Sequence, residues 1–459
     1  MLLGRSCPAG DHQRNFMADS CNDQEAGEIS VRESRNTVCI EGYQVLVRVG
    51  WIFKTETIIM PAVLDAVVDS GLLRGLLPVL NRFGQSVPPL LVAGWLGRQA
   101  VKKWSLVRTT LAMAACFAVL AVIWTPLKRS RPDLLAAGFL VLYAAFSACN
   151  GLTQLVAAAL QGSLIPAGRR GRALVVSAVI GSGLAIVAAW LLLGPWLAEP
   201  DGFPKIFAVT AMFFACAAVV PAFIDEPAGR PLSVAAGRAV GLGGWRPLAD
   251  VRRAGAAWWS TLAADPALIR LSVVAGCFAA VLILFPHYQA FARDSLGSRT
   301  ASLLTWVIVQ NVATGAASLV AGPVSDRRGT KIVLAWLVML SAVTPLLVTG
   351  LSLLPRETAV EWFWIVYVPL GLNPIALRFF TLHALELAPT ATDHTRYVSI
   401  VGAALAAPFV LSPVVGWGVD VLGFRAIFVG GAAVIALGAA VATGLPEPRE
   451  RQARAAQDA

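Results

Sequence analysis

The feature that most constrains this chain is a series of apolar runs, each about the length that crosses a bilayer. A membrane-spanning helix needs about 20 mainly apolar residues. Such runs fall at 50–70, 73–97, 105–127, 134–162, 171–196 and 204–225, and again at 267–291, 299–324, 330–354, 359–386, 396–420 and 424–445. No soluble core of this length could bury them all. The chain is 57% hydrophobic and only 14% charged over 459 residues, well below the roughly 25% charged residues of soluble domains. The apolar excess must face lipid, so the expected fold class is an all-α membrane protein with twelve transmembrane helices in two six-helix halves. The first two runs are the most polar. One carries Lys54, Glu56, Asp65 and Asp69, the other Asn81, Arg82 and Gln85.

The net charge of +10 sits in short basic clusters between the apolar runs. That pattern is a topology signal rather than a nucleic-acid surface, and no nucleic-acid partner is expected. Residues 1–45 are polar and mixed in charge, and disorder is their default. They lack the apolar core of a secretory signal. Residues 46–225 form the expected first half and 267–459 the second, with a short cytoplasmic tail. Between them, 226–266 is a polar linker holding Arg230, Arg238, Arg246, Arg252 and Arg253. Within it, Arg246 to Ala264 reads as a helix along the membrane surface, anchored by Trp258 and Trp259. Asp265-Pro266 reads as a helix start, with Asp capping free N–H groups and Pro in the first turn. Placing both termini in the cytoplasm puts most loop Lys and Arg residues on that side, in a cell or inner membrane. The cluster Lys128–Arg131 runs against the trend.

The seven cysteines show no metal-ligand spacing, and neither a metal nor a cofactor is expected. There is no H-E-x-x-H, P-loop or G-x-S-x-G motif, so no enzyme class is indicated.

One loop carries a family resemblance. Gly322-Pro-Val-Ser-Asp326-Arg327-Arg328-Gly329-Thr330-Lys331 resembles the G-x-x-x-D-R-x-G loop of the major facilitator superfamily, at the position where that signature recurs in the second half. Gly322 would allow close helix approach. Asp326 would latch one conformation, Gly329 would permit the turn, and Arg327 and Lys331 would hold the loop on the cytoplasmic side. The equivalent first-half loop, Gly94-Trp-Leu-Gly-Arg98-Gln-Ala-Val-Lys102-Lys103, has Arg98 where the acid would stand. Three more stretches are similar to the same superfamily: Pro166 to Arg172 around its R-G-R turn, Gly416 to Arg425, and Leu445-Pro-Glu-Pro. The resemblance implies a secondary transporter whose halves rock around a central site to give alternating access. Its expected partners are membrane lipid, a small-molecule substrate and a coupling proton, and the transporter is expected to be a monomer.

Polar groups deep in spanning helices mark the expected cavity: Arg82, Gln85, Asn150, Gln154, Gln310, Asn311, Asn373 and Arg378. Arg82 and Arg378 lie in opposite halves. They either recognise an anionic or zwitterionic solute through the guanidinium fork, or form interhelical ion pairs with Asp65 or Glu386. Asn150, Gln154, Gln310 and Asn311 fit a cavity or interhelical hydrogen bonding equally well. Glu56, Asp65 and His287 have the chemistry for proton coupling; for His287 the other reading is a hydrogen-bonded histidine near the interface. The fifth run lacks the Gly–Pro pattern of many proton-linked drug exporters, which sets drug efflux behind as an alternative. A transporter-like sensor or scaffold is the alternative of another class.

Overall fold

The computed structural model describes residues 11–97, 99, 101–165, 167–199, 201–226, 259–298, 302–389 and 393–448. Every regular element among them is helical. Before residue 227 these are α1 (Asp11–Ile52), α2 (Ile59–Asp65), α3 (Gly71–Gly97), α4 (Lys103–Ser130), α5 (Pro132–Leu164), α6 (Ala167–Ala188), α7 (Gly194–Ala198) and α8 (Phe203–Val219). After residue 265 come α9 (Pro266–Asp294), α10 (Ser302–Arg328), α11 (Thr330–Leu351), α12 (Arg356–Trp362), α13 (Tyr367–Leu370), α14 (Asn373–Leu387), α15 (His394–Ala406), α16 (Ser412–Leu422) and α17 (Phe424–Thr443).

Among the described residues, ten helical segments are long and apolar enough to cross a membrane. The two expected segments outside that set are the first and second, the polar ones. Large apolar side chains such as Val122, Leu319 and Leu437 stand on the outside of the bundle, where lipid rather than water can cover them. Aromatic rings fill the interior: Phe117, Phe146, Phe207, Phe214 and Trp124 in the first set, and Phe291, Phe363, Phe428, Tyr288 and Tyr367 in the second.

The packing order repeats. In the first set α3 packs on α5, α4 on α5 and α8, and α1 on α6 and α8. In the second, α10 packs on α13, α11 on α14 and α17, and α9 on α15 and α17. Each pairing in one set has its counterpart six crossings later, which makes the molecule two six-helix halves of like design.

The first crossing corrects two sequence expectations. Residues 11–45 are not an unstructured tail, because α1 runs unbroken from Asp11. Ile40, Tyr43 and Val49 are buried, and the Tyr43 hydroxyl lies 3.1 Å from Thr110 Oγ1. Asn36 clamps the residue after the sixth crossing, donating to Asp225 O at 2.9 Å and accepting from Asp225 N at 2.8 Å. Arg32 and Arg35 pair with the Asp225 carboxylate. The crossing is therefore the end of α1 joined to α2, and the helix expected at 50–70 began too late. Glu41 and Arg48 break the apolar run, so a hydropathy reading detects only the residues beyond Arg48.

Four crossings are interrupted, and local chemistry explains most of it. Between α1 and α2, Lys54-Thr-Glu-Thr57 forms a turn in which Thr55 O accepts the N–H groups of Ile58, Ile59 and Met60. A π turn at Ala189–Leu193 precedes Pro195. A 3-10 stretch at Phe363–Val366 opens the irregular tenth crossing, with Pro369, Gly371 and Pro374. Ala407–Leu411 holds Pro408 and stands before Pro413. Proline removes a helical donor, and broken crossings are where transporter folds place sites and hinges.

The helix start at Asp265-Pro266 is as expected, with Asp265 Oδ1 accepting from Ala267 N at 3.0 Å. Residues 259–264 are helical and Trp259 is exposed; Trp258 and the rest of the expected surface helix lie outside the described residues. The fifth crossing starts at Ala167, so the R-G-R residues lie inside a helix rather than in a turn.

Candidate functional site

The break in the first crossing organises the interior. Lys54 is fully buried, with its ammonium 2.5 Å from Glu56 Oε1 and 3.3 Å above the Trp51 ring centroid. A cation held this way is neutralised by the acid and further stabilised by the ring face. Asn81 Nδ2 donates to Glu56 Oε2, and Gln85 Nε2 donates to Asn81 Oδ1 one helical turn on. From the same break, Thr57 Oγ1 donates to Gln310 Oε1 at 2.7 Å, joining the two halves at mid-bundle. Glu56, Gln85 and Gln310 of the expected set are thus brought together around the break.

The other candidates scatter. Asn150 is buried on α5 with Nδ2 unpartnered, and Gln154 is exposed. Asn311 Nδ2 donates back to Val307 O within its own helix. Asn373 Oδ1 accepts from Ser341 Oγ at 2.9 Å, which ties α14 to α11. His287 is fully buried, and neither ring nitrogen has a hydrogen-bond partner; it is not the hydrogen-bonded interfacial residue of the second reading.

Arg48 and Arg82, half-buried, and Arg378, exposed on α14, make no hydrogen bond or ion pair to any described residue. Neither Arg82 nor Arg378 forms the ion pair with Asp65 or Glu386 that the second reading called for, among the described residues. Asp65 is engaged by other arginines, and Glu386 Oε2 accepts from Thr330 Oγ1 at 2.6 Å. Sequence reading missed Arg48 because it started the first helix two residues too late.

One end of the bundle is sealed between the halves. Arg74, 2% exposed, reaches Asp65 at 2.5 Å, Asp294 at 3.5 Å, and Asp69. Arg293 reaches Asp65 at 3.2 Å, Asp69 at 2.9 Å and Asp294 at 2.6 Å. This network ties α2 and α3 of the first half to α9 of the second, and Asp65 is its buried centre rather than a free cavity carboxylate. Beside it α3 and α16 touch backbone to backbone: any Cβ on Gly71, Gly75 or Gly416 would overlap main-chain atoms of the other helix. Asp420 accepts from Gly71 N with both carboxylate oxygens at 3.0 Å. Nearby, α10 packs on α6 and α7, with Gly194 against Leu304. Every hydrogen bond and ion pair between described residues that joins the halves lies at this end or at the Thr57 break.

At the opposite end lie the signature loops. Gly329 turns the chain at φ 88 and ψ 164, a region only glycine adopts comfortably. Gly322 makes no close helix approach, since a Cβ there would meet nothing within 4 Å. Arg327 is exposed and Lys331 half-buried; Asp326 lies in the last turn of α10, and its side chain is outside the described residues, as is that of Arg98. Two carboxylates that sequence reading missed sit on these loops. Glu226, after the sixth crossing, accepts from the backbone N–H groups of Lys102 and Lys103 at 2.7 and 2.8 Å. Glu447, after the twelfth, lies against Gly329. The signal was present as a repeated Glu-Pro, at Glu226-Pro227 and Glu447-Pro448.

Neither a protein-family model nor a curated protein matches this sequence. Solved structures do match. A D-xylose–proton symporter superposes with a TM-score of 0.66 at 14% identity, covering 89% of this chain and 98% of its own. A peptide transporter solved with sulfate gives 0.63 at 15% identity, covering 90% and 95%, and the nucleoside transporter NupG gives 0.62 at 13%, covering 89% and 99%. The chain is a multi-pass membrane protein with the major facilitator fold.

Proposed function

We propose that the protein is a secondary transporter that moves a small organic anion across its membrane by alternating access, the halves 46–225 (extended at its start by α1) and 267–459 rocking about the Thr57–Gln310 level across the 226–266 linker. The observation that carries this reading is the set of crossing arginines without an acid partner among the described residues, the half-buried Arg48 and Arg82 of the first half and the exposed Arg378 of the second. Unpaired charge in a membrane interior defaults to a substrate or ion path. The sealed end is then one gate. With both termini placed in the cytoplasm of a cell or inner-membrane protein, that gate faces outward and the site opens inward. Glu56 is the proton-coupling candidate best placed, beside Lys54 at the break, whereas Asp65 serves the gate. Asp326, Arg327, Gly329 and Lys331 would steady the cytoplasmic loop, with the protein working as a monomer in lipid. Neither catalysis nor a cofactor has a role in this scheme.

Counterflow in proteoliposomes tests it. Purified protein preloaded with a mixture of organic anions should draw in labelled anion faster than protein-free vesicles. Specific solute binding with no counterflow would leave the sensor or scaffold reading instead. Counterflow of an amphipathic cationic drug in place of anions would favour an efflux pump.

A further inference from the structure

The sealed end holds a cavity of about 130 Å³ between the halves. Its wall follows from the local sequence. On α2, Ala62, Asp65 and Ala66 are spaced three and four residues apart and so share the helix face that lines it. On α9, Gln289 and Arg293 do the same from the other half. Gly297, at φ 64, then reverses the chain so that Ser298 N donates to Ala292 O at 2.9 Å. That turn brings Ser298 back to the cavity wall.

Three of these side chains carry buried oxygens with no hydrogen bond to any described residue. Gln289 is 4% exposed, and its Oε1 has no partner. Ser298 Oγ has none. Asp65 Oδ1 takes Arg74 Nε at 2.5 Å. Asp65 Oδ2 has no hydrogen bond, with Arg293 Nη1 3.2 Å away. An acceptor buried without a donor is costly. Three of them around one cavity point to a ligand that oxygen atoms bind.

The surroundings set the sign of that ligand. Asp65, Asp69 and Asp294 are three carboxylates against two guanidiniums, Arg74 and Arg293, so the network carries one negative charge in excess. Arg356, also at this end, is exposed and donates Nε to Leu296 O at 2.7 Å; water and salt screen its charge. An anion in the cavity would meet the Asp65 carboxylate. A hard cation takes oxygen ligands. Divalent ions draw on several carboxylates, and Asp65 is the one carboxylate among the lining residues. Among the described residues no three acid, thiol or imidazole groups stand together as a metal site. One carboxylate, one amide oxygen and one hydroxyl suit a monovalent ion, and the volume leaves room for waters to complete its shell.

We propose that this cavity binds an alkali-metal cation, with Asp65 Oδ2, Gln289 Oε1 and Ser298 Oγ as its protein ligands. The ligands come from both halves, so the ion is held while this end is closed, and binding shifts the population towards that state. The site does not depend on which solute the transporter carries.

The test is a thermal-shift titration of the purified full chain with sodium, potassium and choline chloride at equal ionic strength. Sodium should raise the melting midpoint saturably, by about 2 °C once in roughly tenfold excess over half-saturation, and choline should not. Gln289→Leu and Ser298→Ala should each lose most of that rise. In choline both should melt no lower than the parent, because neither oxygen had a partner, so a lost response would not be lost folding. A potassium response as large as sodium's would uphold an alkali-cation site without size selection. Equal midpoints in all three salts, or a sodium response that survives both substitutions, would overturn the inference. So would stabilisation by acid alone with no sodium effect, which would make a proton the counter-charge. Proteoliposome counterflow decides the transporter reading separately: a sodium response without counterflow would uphold the cation site and overturn transport, and counterflow without a sodium response would do the reverse.

Discussion

Two groups of arginines share this bundle and have opposite surroundings. Arg74 and Arg293 lie at the sealed end and touch three aspartates between them. Arg48, Arg82 and Arg378 lie elsewhere in the crossings and touch none among the described residues. Both groups cross the boundary between the halves. The paired group spends its charge on holding the halves together, whereas the unpaired group keeps its charge available. The same residue type is therefore a fastener in one region and, on the proposed function, a receptor in the other, and the acids beside it decide which.

The largest effect should come from breaking the fastener. Arg74→Ala leaves the buried Asp65 with Arg293 alone; removing one partner of a buried pair costs about 3–5 kcal/mol, seen as a fall in the unfolding midpoint in detergent. An equal fall for Arg48→Gln would end the contrast between the groups. Next is the seam beside the network. Gly416→Val should force α3 and α16 apart at a cost of about 1–3 kcal/mol, and a cysteine placed at the exposed Ala66 should then react faster with a membrane-impermeant maleimide. Unchanged labelling would mean that the seam does not govern access.

Asp420→Asn should cost about 0.5–2 kcal/mol, since it weakens a charged cap on the α3 N-terminus; a double-mutant cycle with Arg74→Ala would show whether cap and network act as one gate. The smallest effect belongs to a largely exposed pair where the end of the third crossing meets the loop before the sixth. The hydrogen bond from Lys128 to Asp201, at 2.8 Å, holds the Asp201 carboxyl below its ordinary range. A depressed carboxylate adds stability above its unfolded pKa and loses it as pH falls through the folded value. Asp201→Asn should therefore remove a small acid-side slope, about 0.5 kcal/mol or less for so exposed a pair, in a pH series of melting points.

Much of the fold was legible because helix length and apolarity are local properties. Most crossings, the glycine turn at Gly329 and the Asp265-Pro266 start come directly from residue type. The first crossing was not legible, because its continuity depends on partners far away in sequence. Asn36 and Arg35 meet Asp225, and Tyr43 meets Thr110. The site was half legible. Arg82, Gln85, Gln310, Arg378 and Glu56 could be singled out because charge and amide groups are rare at that depth. Whether an arginine is paired is a three-dimensional fact, however, and neither Arg74 nor Arg48 could be singled out before their neighbours were known.

The glycine seam has one more consequence. At Gly71, Gly75 and Gly416 the main chains of α3 and α16 meet directly, so these contacts have no rotamers to trade and no soft layer to compress. The other edge of the same end, Gly194 against Leu304, has a flexible side chain that can yield. This end of the bundle is thus rigid along one rim and compliant along the other: the α10 side has a side chain that can give way by degrees, and the α3 side has none at its glycine contacts.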